Sequence, residues 1–175
     1  MRLTLLTVIF ALGSLCGYAQ VGNTGNLDRD FGFNGIRFRE NIQKYTADVT
    51  PENGEPGRFL VTGSKYLSFE GLPVSELLLE TREGRIVRIR LRTAKENGPL
   101  FLQALIRKYG TPFMYLTDQE YGAFEEHMQV IDADYFWGGK RVALLYMHRV
   151  GDDSENVYIQ FSPADEFMRP SDDLQ

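Results

Sequence analysis

Val74-Ser-Glu-Leu-Leu-Leu-Glu-Thr-Arg-Glu-Gly-Arg-Ile-Val-Arg-Ile-Arg-Leu-Arg92 is the stretch on which the fold turns. Two extended runs, Val74 to Thr81 and Arg85 to Arg92, flank Arg82-Glu83-Gly84. The sequence predicts a hairpin with a three-residue loop that ends on glycine, where the left-handed backbone carries no steric penalty. This register pairs Leu79 with Val87 and Leu77 with Ile89 on one face, and sets Glu76, Glu80, Arg88, Arg90 and Arg92 on the other. One face is core and the other is charged. A slip of one residue would mix the two, so the pattern itself selects the pairing.

Downstream, Asn97-Gly98-Pro99 reads as a helix start with proline at the first helical position, and Gly110 before Pro112 reads as its stop. Phe101, Leu105, Ile106 and Tyr109, widened by Leu102, form its apolar stripe, with Gln103, Arg107 and Lys108 opposite. This helix is expected to lie across the apolar face of the sheet. A second helix, capped by Asp118 and running to about Gln129, would carry Tyr121, Phe124 and Met128 on one side. A second antiparallel set follows: Ile131 to Trp137, Arg141 to His148, and Asn156 to Ser162. Upstream, Glu40 to Tyr45 suits a short helix, and Thr50 to Gly57, with two prolines and two glycines, suits a loop. The order implies an α+β fold, an antiparallel sheet with one main helix packed on one face. A short helix before a hairpin, then a longer helix before three strands, suggests a degenerate repeat.

The ends bear on compartment. Met1-Arg2, an apolar run from Leu3 to Leu15, and the exit Gly17-Tyr-Ala19 make a secretory signal peptide over residues 1–19, with cleavage expected before Gln20. The run is too short for a membrane span, which needs about 20 mainly apolar residues. Cys16 is not read as a lipid anchor, because a lipobox places a small residue before the cysteine and an aliphatic one three before it, where Leu15 and Gly13 stand. Cys16 is the only cysteine, so the mature chain is expected to hold no disulfide and to act in a bacterial periplasm or exterior. Residues 20–30, mostly Gly, Asn, Asp and Arg, are expected to be a flexible arm, 31–162 a single globular domain, and 163–175 a flexible acidic tail. Lys and Arg number 19 against 24 Asp and Glu, a net charge of −5. An acidic chain without a basic run points away from nucleic acid.

The runs Tyr66-Leu-Ser-Phe-Glu-Gly-Leu-Pro-Val-Ser-Glu76, Arg85-Ile-Val-Arg-Ile89 and Leu105-Ile-Arg-Lys-Tyr-Gly-Thr-Pro112 resemble small exported domains of Gram-negative bacteria. In those domains a hairpin with an x-Gly turn precedes a helix ending in Tyr-Gly-x-Pro, and a hairpin with tryptophan follows, here at Trp137. The resemblance spans about Gly35 to Phe161. It implies an α+β layout similar to β-lactamase-inhibitor-like folds. Its motifs are structural, and β-lactamase inhibition is not implied.

Four groups of residues invite a functional reading. Arg88, Arg90 and Arg92 share a strand face and could hold a carboxylate or phosphate, since each guanidinium is a planar fork of donors. Equally, they are the solvent face of a two-sided hairpin, with Glu76 opposite Arg90 and Glu80 nearby as partners, and this reading carries more weight. His127 and His148, the only histidines, could serve a hydrolase with Asp132 or Asp134, but they lack metal-ligand spacing with each other. Asp132-Ala-Asp134 and Asp152-Asp-Ser-Glu155 do not match a calcium loop. No cofactor or metal is expected. The segment 112–130 offers Phe113, Tyr115, Tyr121, Phe124 and Met128 as an interaction surface, or as a lid over one end of the core. Together these favour a non-catalytic domain that binds a protein or cell-envelope component.

Overall fold

The structure is a computed structural model that describes residues 24–115, 134–147 and 156–167. The fold is α+β. Two helices, α1 (Gly25–Asp30) and α2 (Gly98–Tyr109), accompany twelve strands among the described residues. Small two-stranded ladders join β1 (Gly32–Phe33) to β2 (Ile36–Arg37) and β5 (Ser68–Phe69) to β6 (Leu72–Pro73). The main sheet is antiparallel and holds β3 (Val49–Pro51), β4 (Arg58–Val61), β7 (Glu76–Arg82), β8 (Arg85–Ala94), β9 (Phe113–Tyr115), β10 (Asp134–Gly138), β11 (Val142–Met147) and β12 (Asn156–Pro163). Its spatial order is β3-β4-β7-β8-β12-β11-β10-β9. Each half of the chain therefore makes a four-stranded meander, and the two meanders join through their last strands. A 3₁₀ turn at Ile42–Tyr45 precedes the first meander and α2 precedes the second, which is the degenerate repeat in outline.

One face of this sheet builds the core. Leu77, Leu79, Ile89, Leu91, Val157, Ile159, Phe161, Leu144, Tyr146 and Trp137 are all buried in a single cluster. Helix α2 closes over it with Phe101, Ala104, Leu105 and Tyr109. Phe101 and Tyr109 stack on Phe69, and Tyr109 meets Phe161 edge-on. The approach is close enough that a Cβ on Gly98 would stand 2.7 Å from Val157 Cγ2, so glycine is needed where the helix meets the sheet. Ile106, expected inward, is exposed, and Ala104 takes its place. The inward positions are 101, 104, 105 and 109, and Ile106 lies about 100° around the axis from Leu105.

The hairpin departs from the expected register. Glu83 and Gly84 both have positive φ, 52° and 73°, so the loop has two residues and the signature of a type I′ turn. Arg82 then pairs with Arg85 and Thr81 with Ile86 before a bulge shifts the ladder, placing Glu80 opposite Arg88, Leu79 opposite Ile89 and Leu77 opposite Leu91. The shorter turn moves the register by one and the bulge by one more. The side-chain period is two, so the combined displacement keeps Leu77, Leu79 and Ile89 in the core and Glu76, Glu80, Arg88, Arg90 and Arg92 on the other face. Val87, expected in the core opposite Leu79, is instead the half-buried bulge residue, and Ile86 is buried in its place.

Other boundaries are corrected. Residues 24–30 are not a free arm: Leu27 is fully buried, and the Asp28 carboxylate accepts from the backbone N–H groups of Lys140, Arg141 and Val142 at 2.8–3.1 Å. A polar composition hid one core leucine and one aspartate that satisfies the β10–β11 turn. Pro163 is the last residue of β12, and residues 164–167 are docked, with Glu166 on Arg82 at 2.6 Å and Phe167 against Phe136. The expected loop at 50–57 starts later, because Thr50 and Pro51 belong to β3; proline is tolerated there since β3 is an edge strand. The helix expected at 118–129 lies outside the described residues.

Candidate functional site

Strand β8 carries Arg88, Arg90 and Arg92 on the face turned away from the core cluster, as alternation requires. Strand β7 answers with Glu76 and Glu80. Glu80 is the hub. Its carboxylate is 2 % exposed and takes Arg88 Nη1 on Oε2 at 2.7 Å and Arg90 Nη1 on Oε1 at 3.0 Å. Arg92 Nη2 donates to Glu76 Oε2 at 2.8 Å. The Arg90 Nε donates to Gln160 Oε1 at 3.1 Å, across the junction of the two meanders. On the neighbouring β4, Arg58 is held by Glu52 at 3.0 Å and Glu55 at 3.5 Å. Desolvation by burial holds Arg90 below the usual guanidinium range, against the pull of Glu80, and Arg88 and Arg58 add to the lowering.

Arg58, Arg88, Arg90 and Arg92 thus each have a carboxylate. Four guanidinium groups meet four carboxylates, Glu52, Glu55, Glu76 and Glu80. A carboxylate or phosphate ligand would have to displace a partner that is already in place, and at Arg88 that partner is buried with it. The cross-strand pairing reading therefore describes the side chains. Only the partner differs, since Glu76 faces Arg92 where Arg90 was expected.

The second candidate surface belongs to the same sheet. Strand β9 is its outer edge, and register relations run unbroken across all eight strands: Phe113 pairs with Phe136, Phe136 with Leu145, Leu145 with Gln160, Gln160 with Arg90, Arg90 with Leu78, Leu78 with Leu60, and Leu60 with Thr50. Phe113 and Tyr115 therefore sit in β9 at register positions of the same face as the arginines. Four strand steps separate Phe113 from Arg90, about 19 Å at about 4.8 Å per step. No described helix packs on this face. Between its ends lie the half-buried Leu145, Met147 and Tyr158, and Leu60 near β3 is exposed.

Tyr121, Phe124, Met128, His127, His148 and Asp132 lie outside the described residues, as does the side chain of Asp134. Sequence reading missed Gln160 and Arg58 in the cluster, because their strands pair with β8 and β7 only through long-range topology. The one available signal was the polar alternation of Tyr158 and Gln160 in the last strand. Among the described residues no group of three or more His, Cys, Asp or Glu is arranged to hold a metal ion, and no helix is long and apolar enough to cross a membrane. In comparison with known proteins, no family model, no curated protein and no solved structure matches this chain.

Proposed function

We propose that this chain is a non-catalytic binding domain that acts outside the cytoplasm and engages a protein or cell-envelope component through the face of its sheet that points away from the core. The observation that carries the reading is the single row from Phe113 to Thr50, in which β9 and the arginine cluster occupy register positions of one sheet face about 19 Å apart. That separation exceeds a small ligand. It suits a macromolecular contact, which covers about 800 Å² per partner and so spans roughly 30 Å. The charge-balanced cluster fits the same reading: paired charges on an interface orient a partner and reject wrong ones, and they need not supply the affinity. The apolar run of Leu145, Met147 and Tyr158 beside it offers the desolvated area that does. Export is supported by the leader at residues 1–19 and is checked by N-terminal sequencing of the extracytoplasmic protein, expected to begin at Gln20.

The test is capture from the exported fraction with the mature chain as bait. Leu145→Arg, on the proposed face, should abolish capture of the partner. Ile106→Glu, on the outer side of α2, should retain it. If no partner is captured, or if both variants behave alike, the reading falls.

A further inference from the structure

The end of α1, the β1–β2 turn and the last turn of α2 enclose a groove of about 400 Å³, within the range of small-molecule sites. Its charges are not balanced. Arg29 from α1, Arg37 from β2 and Lys108 from α2 line it, against one carboxylate, Asp30. That carboxylate is already engaged, by Lys108 Nζ at 3.2 Å, Arg29 Nε at 4.0 Å and the Tyr109 hydroxyl at 3.4 Å. Lys108 is held further by the faces of Phe69 and Tyr109, its Nζ 5.2 and 5.3 Å from their centroids. Arg37 is exposed and makes no ion pair among the described residues. The carboxylate that acts on it, Glu40, is taken by Lys44 at 2.7 Å and by the Tyr45 hydroxyl.

Among the lining residues, three cations stand against one carboxylate, an excess of two positive charges in a chain whose net charge is −5; Glu40 and Glu70 act from outside the lining, on Arg37 and on Tyr109 respectively. Composition alone would produce the opposite sign. The groove also has a firm frame: Phe33 on its wall is buried against Phe69 and Phe161, and Asn34 at the turn donates its side-chain amide to the carbonyls of Tyr66 and Ser68. A cationic concavity with low-dielectric walls concentrates anions.

We propose that this groove binds the carboxylate or phosphate group of a small ligand, with the Arg37 guanidinium as its planar fork and Lys108 as a fixed charge. The site is separate from the sheet face and does not depend on the binding reading given for it. In contrast to Arg88, Arg90 and Arg92, Arg37 can accept an anion without surrendering an ion-pair partner among the described residues.

Isothermal titration of the full mature chain at neutral pH and near-physiological salt tests this, with inorganic phosphate and succinate as separate probes. At least one probe should bind saturably at one site with Kd in the millimolar range or tighter, about −4 kcal/mol at 1 mM. Saturation by phosphate alone assigns a phosphate group, by succinate alone a carboxylate, and by both the shared oxyanion chemistry. Arg37→Gln should weaken binding at least about tenfold. Arg107→Gln, exposed in the same last turn of α2 but outside the groove, should leave it unchanged. Amide shift changes in the unaltered chain, centred on residues 29–37 and 108, give a readout independent of any variant's folding. If neither probe saturates, if Arg37→Gln binds as tightly as the parent, or if the shifts centre elsewhere, the proposal is overturned.

Discussion

Glu80 shows how much one side chain can decide. Its carboxylate, buried under the sheet's outward face, serves Arg88 and Arg90 together, and the Arg88 Nε is buried with no hydrogen-bond partner. Removing one member of a buried pair leaves an uncompensated charge, whereas replacing both by apolar groups of similar volume removes the desolvation cost as well. Glu80→Ala should therefore lose about 3–5 kcal/mol in a denaturant titration, and Glu80→Leu combined with Arg88→Met should recover most of that loss. If the double variant is as unstable as the single one, the cluster contributes more than charge neutralisation. Alternation along one hairpin made these residues legible in the sequence, since the two strands are adjacent and each residue's face follows from period two. Asp28 was illegible for the opposite reason. Its three backbone partners stand 112 to 114 residues away, and nothing local to Asn26-Leu-Asp28 announces them.

At the scale of the element, the β7–β8 hairpin separates what patterning determines from what it leaves open. The alternation placed Leu77, Leu79 and Ile89 correctly, but pairings differing by two residues satisfy it equally well, and the turn and bulge made the choice, burying Ile86 where Val87 was expected. A two-residue turn with positive φ at both positions favours Asn-Gly, because asparagine tolerates the left-handed region better than glutamate does. Gly84 already meets that demand at φ 73°, while Glu83 does not at φ 52°. Glu83→Asn should raise stability by about 0.5–1 kcal/mol, seen as a higher denaturation midpoint at unchanged slope. A lower midpoint would show that this turn is not the I′ form. Helix α2 was legible at both ends, where Pro99 and Gly110 act through covalent geometry. It was less so around its axis, where tertiary packing selected Ala104 over Ile106.

At the scale of the molecule, the joining of two meanders through β8 and β12 could not be read locally, since it depends on strands about seventy residues apart. Its consequence is a core closed by tyrosines from separate parts of the chain: Tyr45 before β3, Tyr109 at the end of α2 and Tyr146 in β11. Burial, then the Glu40 carboxylate, pushes the Tyr45 hydroxyl up to about 12. Burial raises Tyr109 further, with Asp30 adding to it, and burial beside Tyr135 raises Tyr146. In the unfolded chain these groups lose their protons near pH 10. The native state then holds more protons than the unfolded state, so stability falls as pH rises. Each contribution is complete below about pH 10 and, for Tyr45, is lost as pH climbs through about 12. An alkaline titration should show phenolate absorbance rising in two phases: an early one near pH 10 from exposed tyrosines, and a later one coincident with loss of far-ultraviolet circular dichroism. Tyr45→Phe should flatten the fall in stability between pH 10 and 12, because the folded and unfolded chains would then differ by one fewer bound proton. A single phenolate phase near pH 10 with the dichroism intact would show that these three hydroxyls are open to solvent and that the core does not close as described.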